Sequence, residues 1–176
     1  MAARSKPKKL DADALWHYAL RILGQRAHSV GEVKQKLSRR AVSPGDLNAA
    51  MAKLREYELI DDKKFSEAFA SARLQNQGFG RFRVLRELRS KRVAGSVAEG
   101  AVQKTFANTD ELALIQQFLD RKYRGKNLPE FLKEEKNLAS VYRRLRTAGF
   151  SSSGSFSVLK SYANVEQDWN EPEEND

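Results

Sequence analysis

Cysteine is missing from this 176-residue chain, and with it go disulfides, zinc-thiolate sites and thiol chemistry, a composition that suits a reducing compartment. Histidine is scarce as well. His17 and His28 stand without a partner at metal-binding spacing, so both read as helix-surface or turn residues. No apolar run is long enough to cross a bilayer, and the basic opening from Met1 to Leu10 lacks the apolar stretch of a secretory signal. The expectation is a cytoplasmic chain with no membrane partner. Period-two alternation of apolar residues is also lacking over any useful length, which argues against a sheet.

What the chain does have is helical periodicity, and it repeats. Val33/Leu37/Val42, Val84/Leu88/Val93 and Val141/Leu145/Phe150 share one spacing. Valine and leucine four apart lie on one helix face, and the third apolar residue falls just past the helix end, so each copy reads as a core helix followed by a turn. The leucines are 51 and 57 residues apart, room for three helices in each unit. The expected fold is all-α, an elongated curved array of three tandem three-helix repeats at 11–59, 60–107 and 108–163. A basic N-terminal extension, 1–10, precedes them, and an acidic tail, 164–176, reads as disordered. Each unit alone is near the size that folds marginally, so neighbours must stabilise one another.

Local signals place the helices. Leu15, Tyr18, Ala19, Ile22 and Leu23 predict a first helix from about Asp11 to Gly24. Ser29 with Glu32 three residues on is a capping box opening a second helix to about Arg40. Ser43, Pro44 and Asp46 start a third, ending near Tyr57, since proline is tolerated at the first helical position. In the second unit, Asp61 and Asp62 suit a helix start ahead of Phe65, Ala68, Phe69 and Ala72. Gly78 and Gly80 mark a break by their backbone freedom, and helices follow at about Arg81–Arg92 and Ser96–Phe106. The third unit opens with a helix to about Tyr123. Gly125, Asn127 and Pro129 then interrupt the pattern, so 124–136 reads as an insertion with one helical turn. Leu138, Val141, Tyr142 and Leu145 restore the second helix, and Phe156, Leu159 and Tyr162 supply the third.

Charge is distributed unevenly. The net value is +9, yet from Ser161 onward there is no base and six acids: Glu166, Asp168, Glu171, Glu173, Glu174 and Asp176. The remainder sets 32 bases against 17 acids, an excess of +15 that attracts polyanions, whether nucleic acid or an acidic protein surface. On a wheel of the helix from Arg81, Val84, Leu85 and Leu88 take one side while Arg83, Arg86 and Arg89 take the other. Six bases, Arg81, Arg83, Arg86, Arg89, Lys91 and Arg92, meet one acid there, Glu87. Aligning the repeats puts Arg143 on Arg86 and Arg146 on Arg89, whereas the first unit has Gln35 and Ser38 at those positions. These eight cations are the expected surface for a partner or DNA, with an ordinary solvated helix face as the plainer alternative. The acidic tail is expected to compete for that surface. Phe79 and Phe82 read as turn and helix-edge packing rather than base-stacking residues.

Nothing suggests catalysis. Asp61 and Asp62 are successive residues at a helix start, which point apart and serve as caps. Gly78 and Gly80 have neither a strand before them nor a lysine-threonine pair after them, so they do not form a phosphate loop. Ser151 to Ser155 reads as a turn and cap, because no histidine lies near in sequence. A non-enzyme without cofactor or metal is expected.

The run Leu59, Ile60, Asp61, Asp62 followed by Phe65, Ala68 and Phe69 resembles the signature of RecX, the regulatory proteins of the RecA recombinase. Arg73, Gly78 and Gly80, then Val84, Arg86, Glu87, Leu88, Arg89 and Lys91, are similar to that family's glycine turn and glutamate-leucine-arginine helix. Ser29, Glu32 and Leu37 resemble its first-unit helix. The likeness covers about Ala12 to Phe106 and extends loosely over the third unit. It implies an elongated, curved array of three-helix repeats that lies in the groove of the RecA filament on DNA and touches neighbouring protomers; a monomer is the separate expectation for the chain itself. The implied activity is inhibition of RecA, limiting recombination and the SOS response. A general basic DNA-binding repeat protein is the alternative. Ala41 and Arg92 depart from the family by standing where it tends to have glycine, and the 124–136 insertion and acidic tail are departures too.

Overall fold

The computed structural model describes residues 8–163, so most of the basic extension and all of the acidic tail lie outside the described residues. Ten α-helices and a π-helical turn are found among them: α1 (Ala12–Gln25), α2 (Val30–Ser38), α3 (Pro44–Glu56), α4 (Asp62–Ala72), the π turn (Arg73–Gln77), α5 (Arg81–Ser90), α6 (Gly95–Phe106), α7 (Glu111–Lys122), α8 (Leu128–Phe131), α9 (Glu135–Ala148) and α10 (Ser152–Ala163). Extended pairing among the described residues is a single isolated bridge, Leu10 with Ala41. The fold is all-α. Two compact units divide the chain: the first runs to Phe69 and takes in Glu87–Ala101, and the second takes in Ala70–Arg86 and continues from Val102. The division falls inside α4, α5 and α6.

In the first unit, Leu15 and Ala19 of α1, Val33 and Leu37 of α2, and Ala50, Met51 and Leu54 of α3 bury one core. Side chains that satisfy orphan amides set the helix starts. Ser29 and Glu32 form the capping box of α2, and Ser43 and Asp46 form another at α3 with Pro44 inside it. Asp61 caps α4, accepting from Lys63 N at 2.8 Å and Lys64 N at 3.0 Å. Asp62 lies one residue inside and does something local reading does not foresee: its carboxylate accepts the Val30 amide at 2.8 Å, at the start of α2. The third apolar position of the first repeat also differs from expectation. Val42 is 64% exposed, while Ala41 takes the core place. Leu10 N donates to Arg40 O at 2.7 Å and Val42 N to Leu10 O at 2.9 Å, so this stretch is extended and successive side chains point to opposite sides.

The second unit buries Ile115, Phe118 and Leu119 of α7 with Val141 and Leu145 of α9, Phe150, and Val158 and Leu159 of α10. The insertion does contain one helical turn, α8, capped by Asn127. It also adds to the core, because Leu128 and Leu132 are buried in the same cluster. Gly149 ends α9 at φ 92°, and Phe150 behind it meets Phe118 edge-on at 5.5 Å. Gly78 has the positive φ expected of a break, 61°. Gly80 is needed for a different reason: a Cβ there would lie 2.2 Å from the Gly149 carbonyl oxygen.

A single joint recurs through the repeats. The carbonyl closing each second helix, at Arg40, Lys91 and Ala148, holds the same place relative to Val33, Val84 and Val141, and each accepts a hydrogen bond from the segment one repeat earlier. Gly80 N donates to Ala148 O at 2.9 Å, Ser29 Oγ donates to Lys91 O, and Leu10 N fills the slot on Arg40. Leu10 therefore fills for Arg40 the place that Ser29 and Gly80 fill for Lys91 and Ala148, so this end of the extension is structural as well as basic.

Candidate functional site

Of the eight expected cations, Arg89, Lys91 and Arg92 belong to the first unit. Arg89 Nη2 lies 2.8 Å from Glu99 Oε1 on the surface. Lys91 Nζ is 3.7 Å from Glu32 Oε1 and 5.3 Å from the centre of the Phe69 ring. Glu32 is in turn bridged by Arg26 at 3.0 Å. Burial works to raise the Glu32 pKa, but the Arg26 hydrogen bond, the Ser29 amide and the Lys91 charge outweigh it and hold the carboxyl below its ordinary value. Two of these cations are thus engaged by carboxylates, while Arg92 is exposed.

Arg81, Arg83, Arg86, Arg143 and Arg146 lie in the second unit. Arg86 Nη2 donates to Thr147 O at 3.3 Å, and Thr147 Oγ1 donates to Arg143 O at 2.8 Å, which brings exposed Arg86 and Arg143 to one neighbourhood at the end of α9. Arg146 turns to its own helix end, donating to Phe150 O at 2.9 Å. Arg81 is exposed beside Phe82. Arg83 is half-buried with its guanidinium 3.7 Å from the centre of the Phe79 ring. Phe79 packs against the core as expected, whereas Phe82 is 44% exposed.

Arg83 leads into a cavity of about 470 Å³ between α5, α7 and α9, lined by Phe79, Phe118 and Ala148 together with Arg83, Arg121, Lys122 and Arg144. Arg121 donates to the Gln77 carbonyl and sits 5.9 Å from the Phe118 ring, and Arg144 sits 5.8 Å from the Tyr123 ring. Among the described residues no carboxylate lines the cavity. Guanidinium groups held on aromatic faces present planar donor edges, so the cavity suits an anion attached to an apolar or ring group. Repeat alignment weighs only the second helix of each unit, so it passes over Arg121 and Lys122. It also chooses Arg143 and Arg146 on either side of Arg144. The basic pairs Arg121-Lys122 and Arg143-Arg144 were the available signal, but only packing shows that they converge.

His17 is exposed; His28 is in a turn but buried, its Nδ1–H donating to Arg26 O at 2.8 Å. Burial pushes the His28 pKa down. Ser151 Oγ accepts from Gly154 N at 3.0 Å and donates to Glu111 at 2.5 Å, a helix cap tied to α7. Among the described residues no group of three His, Cys, Asp or Glu side chains is placed to hold a metal, and no helix is long and apolar enough to cross a membrane.

Residues 16–54 match the first three-helix domain of RecX and residues 61–102 the second. The Regulatory protein RecX of Halorhodospira halophila is 32% identical over 133 residues, covering 76% of this chain and 80% of that protein. That of Vibrio parahaemolyticus is 29% identical, covering 76% and 81%. The crystal structure of RecX from Lactobacillus salivarius superposes with a TM-score of 0.65 at 19% identity, covering 88% of this chain and 98% of that one, which establishes a shared fold of tandem three-helix domains.

Proposed function

This chain belongs to the RecX family of regulatory proteins, and we propose from this that it inhibits a RecA recombinase by binding in the groove of the RecA-DNA filament, with no chemistry of its own. The observation supporting a polyanionic partner is the gathering of Arg83, Arg86, Arg121, Lys122, Arg143 and Arg144 in the second unit, with no carboxylate of the described residues lining the cavity they share in part. A filament groove offers phosphate and acidic protein together, and such a cluster gains from both through charge-assisted hydrogen bonds and counterion release. Occupying the groove would hinder strand exchange and filament growth, limiting recombination and the SOS response.

The test is RecA-catalysed ATP hydrolysis on single-stranded DNA. The chain should inhibit at concentrations well below those at which it coats bare DNA. Charge reversal at Arg83 and Arg86 should raise the half-inhibitory concentration by about tenfold or more, a loss of about 1.4 kcal/mol. Inhibition that begins only when bare DNA is already covered would favour general DNA binding instead, and unchanged inhibition by the double variant would remove the cluster from the interface.

A further inference from the structure

One aromatic residue stands in unusual company: Trp169 lies among Glu166, Asp168, Glu171, Glu173 and Glu174, in the segment beyond the described residues. An indole flanked by carboxylates has a close chemical complement in the second unit. The cavity between α5, α7 and α9 combines the apolar surfaces of Phe79, Phe118 and Ala148 with four cations, and its volume of about 470 Å³ is ample for a ring.

The chain continues toward Trp169 from α10, which packs on α7, the helix that supplies Phe118, Arg121 and Lys122 to the cavity. At the start of α10, Ser151 N donates to Glu111 Oε1 at 2.8 Å, so α10 begins beside the start of α7. Val158 and Leu159 then pack in the core shared with Phe118 and Leu119. Near the end of α10, Tyr162 packs against the same core, so α10 lies along α7, the helix that carries Arg121 and Lys122. The six steps from Ala163 to Trp169 span at most about 20 Å extended. Half the circumference of a helix about 10–12 Å across is about 16–19 Å, so the segment is long enough to round α7.

We propose that the segment around Trp169 docks in this cavity, with the indole against Phe79, Phe118 and Ala148 and the carboxylates of Asp168 and Glu171 on Arg83, Arg121, Lys122 and Arg144. Carboxylate-guanidinium pairs supply the specificity, and the covalent tether supplies an effective concentration in the millimolar range, so a weak intrinsic contact is enough. The chain's own tail then covers a cationic site until a more highly charged polyanion displaces it. The contact requires no recombinase, so its test succeeds or fails independently of the filament reading.

Replacing Trp16 in the full chain, Trp16→Phe, leaves Trp169 as the sole tryptophan. Its emission should lie to the blue of a free indole, and acrylamide should quench it severalfold less efficiently than a free indole. Both should revert at about 1 M salt, where the Debye length is about 3 Å. The paired substitutions Asp168→Lys and Glu171→Lys, which leave the body untouched, should also release the indole. Arg121→Glu with Arg144→Glu should do the same without loss of helical circular dichroism, and a single-stranded oligonucleotide should release it in the unaltered tail. Free-indole emission in the Trp16→Phe protein at low salt would overturn the docking, as would shielding that survives both sets of charge reversals. Oligonucleotide binding that leaves Trp169 unchanged would overturn the displacement.

Discussion

Arg92 holds φ at 65°, the left-handed region that costs a non-glycine residue about 1–2 kcal/mol, at the position where Gly149 stands in the third repeat. Part of that cost returns if glycine's freedom in the unfolded chain is restored, so Arg92→Gly should raise stability by about 0.5–1 kcal/mol in urea unfolding. Opposite it, a Cβ on Gly31 would fall 2.4 Å from the Arg92 Cβ and 2.5 Å from its carbonyl oxygen. Gly31→Ala should therefore cost about 1–3 kcal/mol by overpacking, and Arg92→Gly should not rescue it, since the carbonyl remains. His28 gives a pH signature. Burial lowers its pKa from the ordinary 6.5, with Arg26, Glu32 and Lys36 as its charged neighbours. The unfolded chain takes up the proton first as pH falls, so the contribution of neutral His28 is complete above about pH 6.5 and is lost as pH drops through the folded value. Unfolding measured from about pH 7 to 5 should show a smaller loss of stability in His28→Gln. Glu32, held below its usual value, acts in a lower window, losing its contribution as pH falls from about 4.5.

At the scale of elements, the recurring joint makes one helix cap more valuable than another. Ser29 and Ser43 each accept an amide in a capping box, but Ser29 also donates to the Lys91 carbonyl one repeat later. Loss of a cap costs about 0.5–2 kcal/mol, and leaving a buried acceptor unsatisfied adds about 1–3 kcal/mol. Ser29→Ala should thus destabilise more than Ser43→Ala by at least about 1 kcal/mol, as read by chemical unfolding of the two variants side by side. Equal losses would mean that the joint contributes nothing beyond local capping. The short α8 is stabilised the same way as its larger neighbours, by burial: Leu128 and Leu132 anchor it, and four residues could not hold a helix on propensity alone.

For the molecule as a whole, charge governs behaviour. The chain carries +9, and without the segment from 164 onward it carries +15. Deleting 164–176 should raise affinity for single-stranded DNA at low salt, with the advantage shrinking as salt rises, in a binding titration across ionic strengths. Reversing a cation that meets phosphate should lower the slope of log affinity against log salt by about one.

The order of helices, their caps at Ser29 and Ser43 and the core residues Val33, Leu37, Val84, Leu88, Val141 and Leu145 were legible in the sequence, because each depends on spacings within one or two helical turns. The family was legible for the same reason, since its motifs are short runs. Tertiary structure alone decided the rest. Ala41 displaced Val42 from the core because Leu10 extends the backbone there, and Asp62 found the amide of Val30 across 32 positions of sequence. The convergence of Arg83, Arg121, Lys122 and Arg144 has the same origin: three helices far apart in the chain supply the cations, and periodicity within a helix carries no information about which faces will meet.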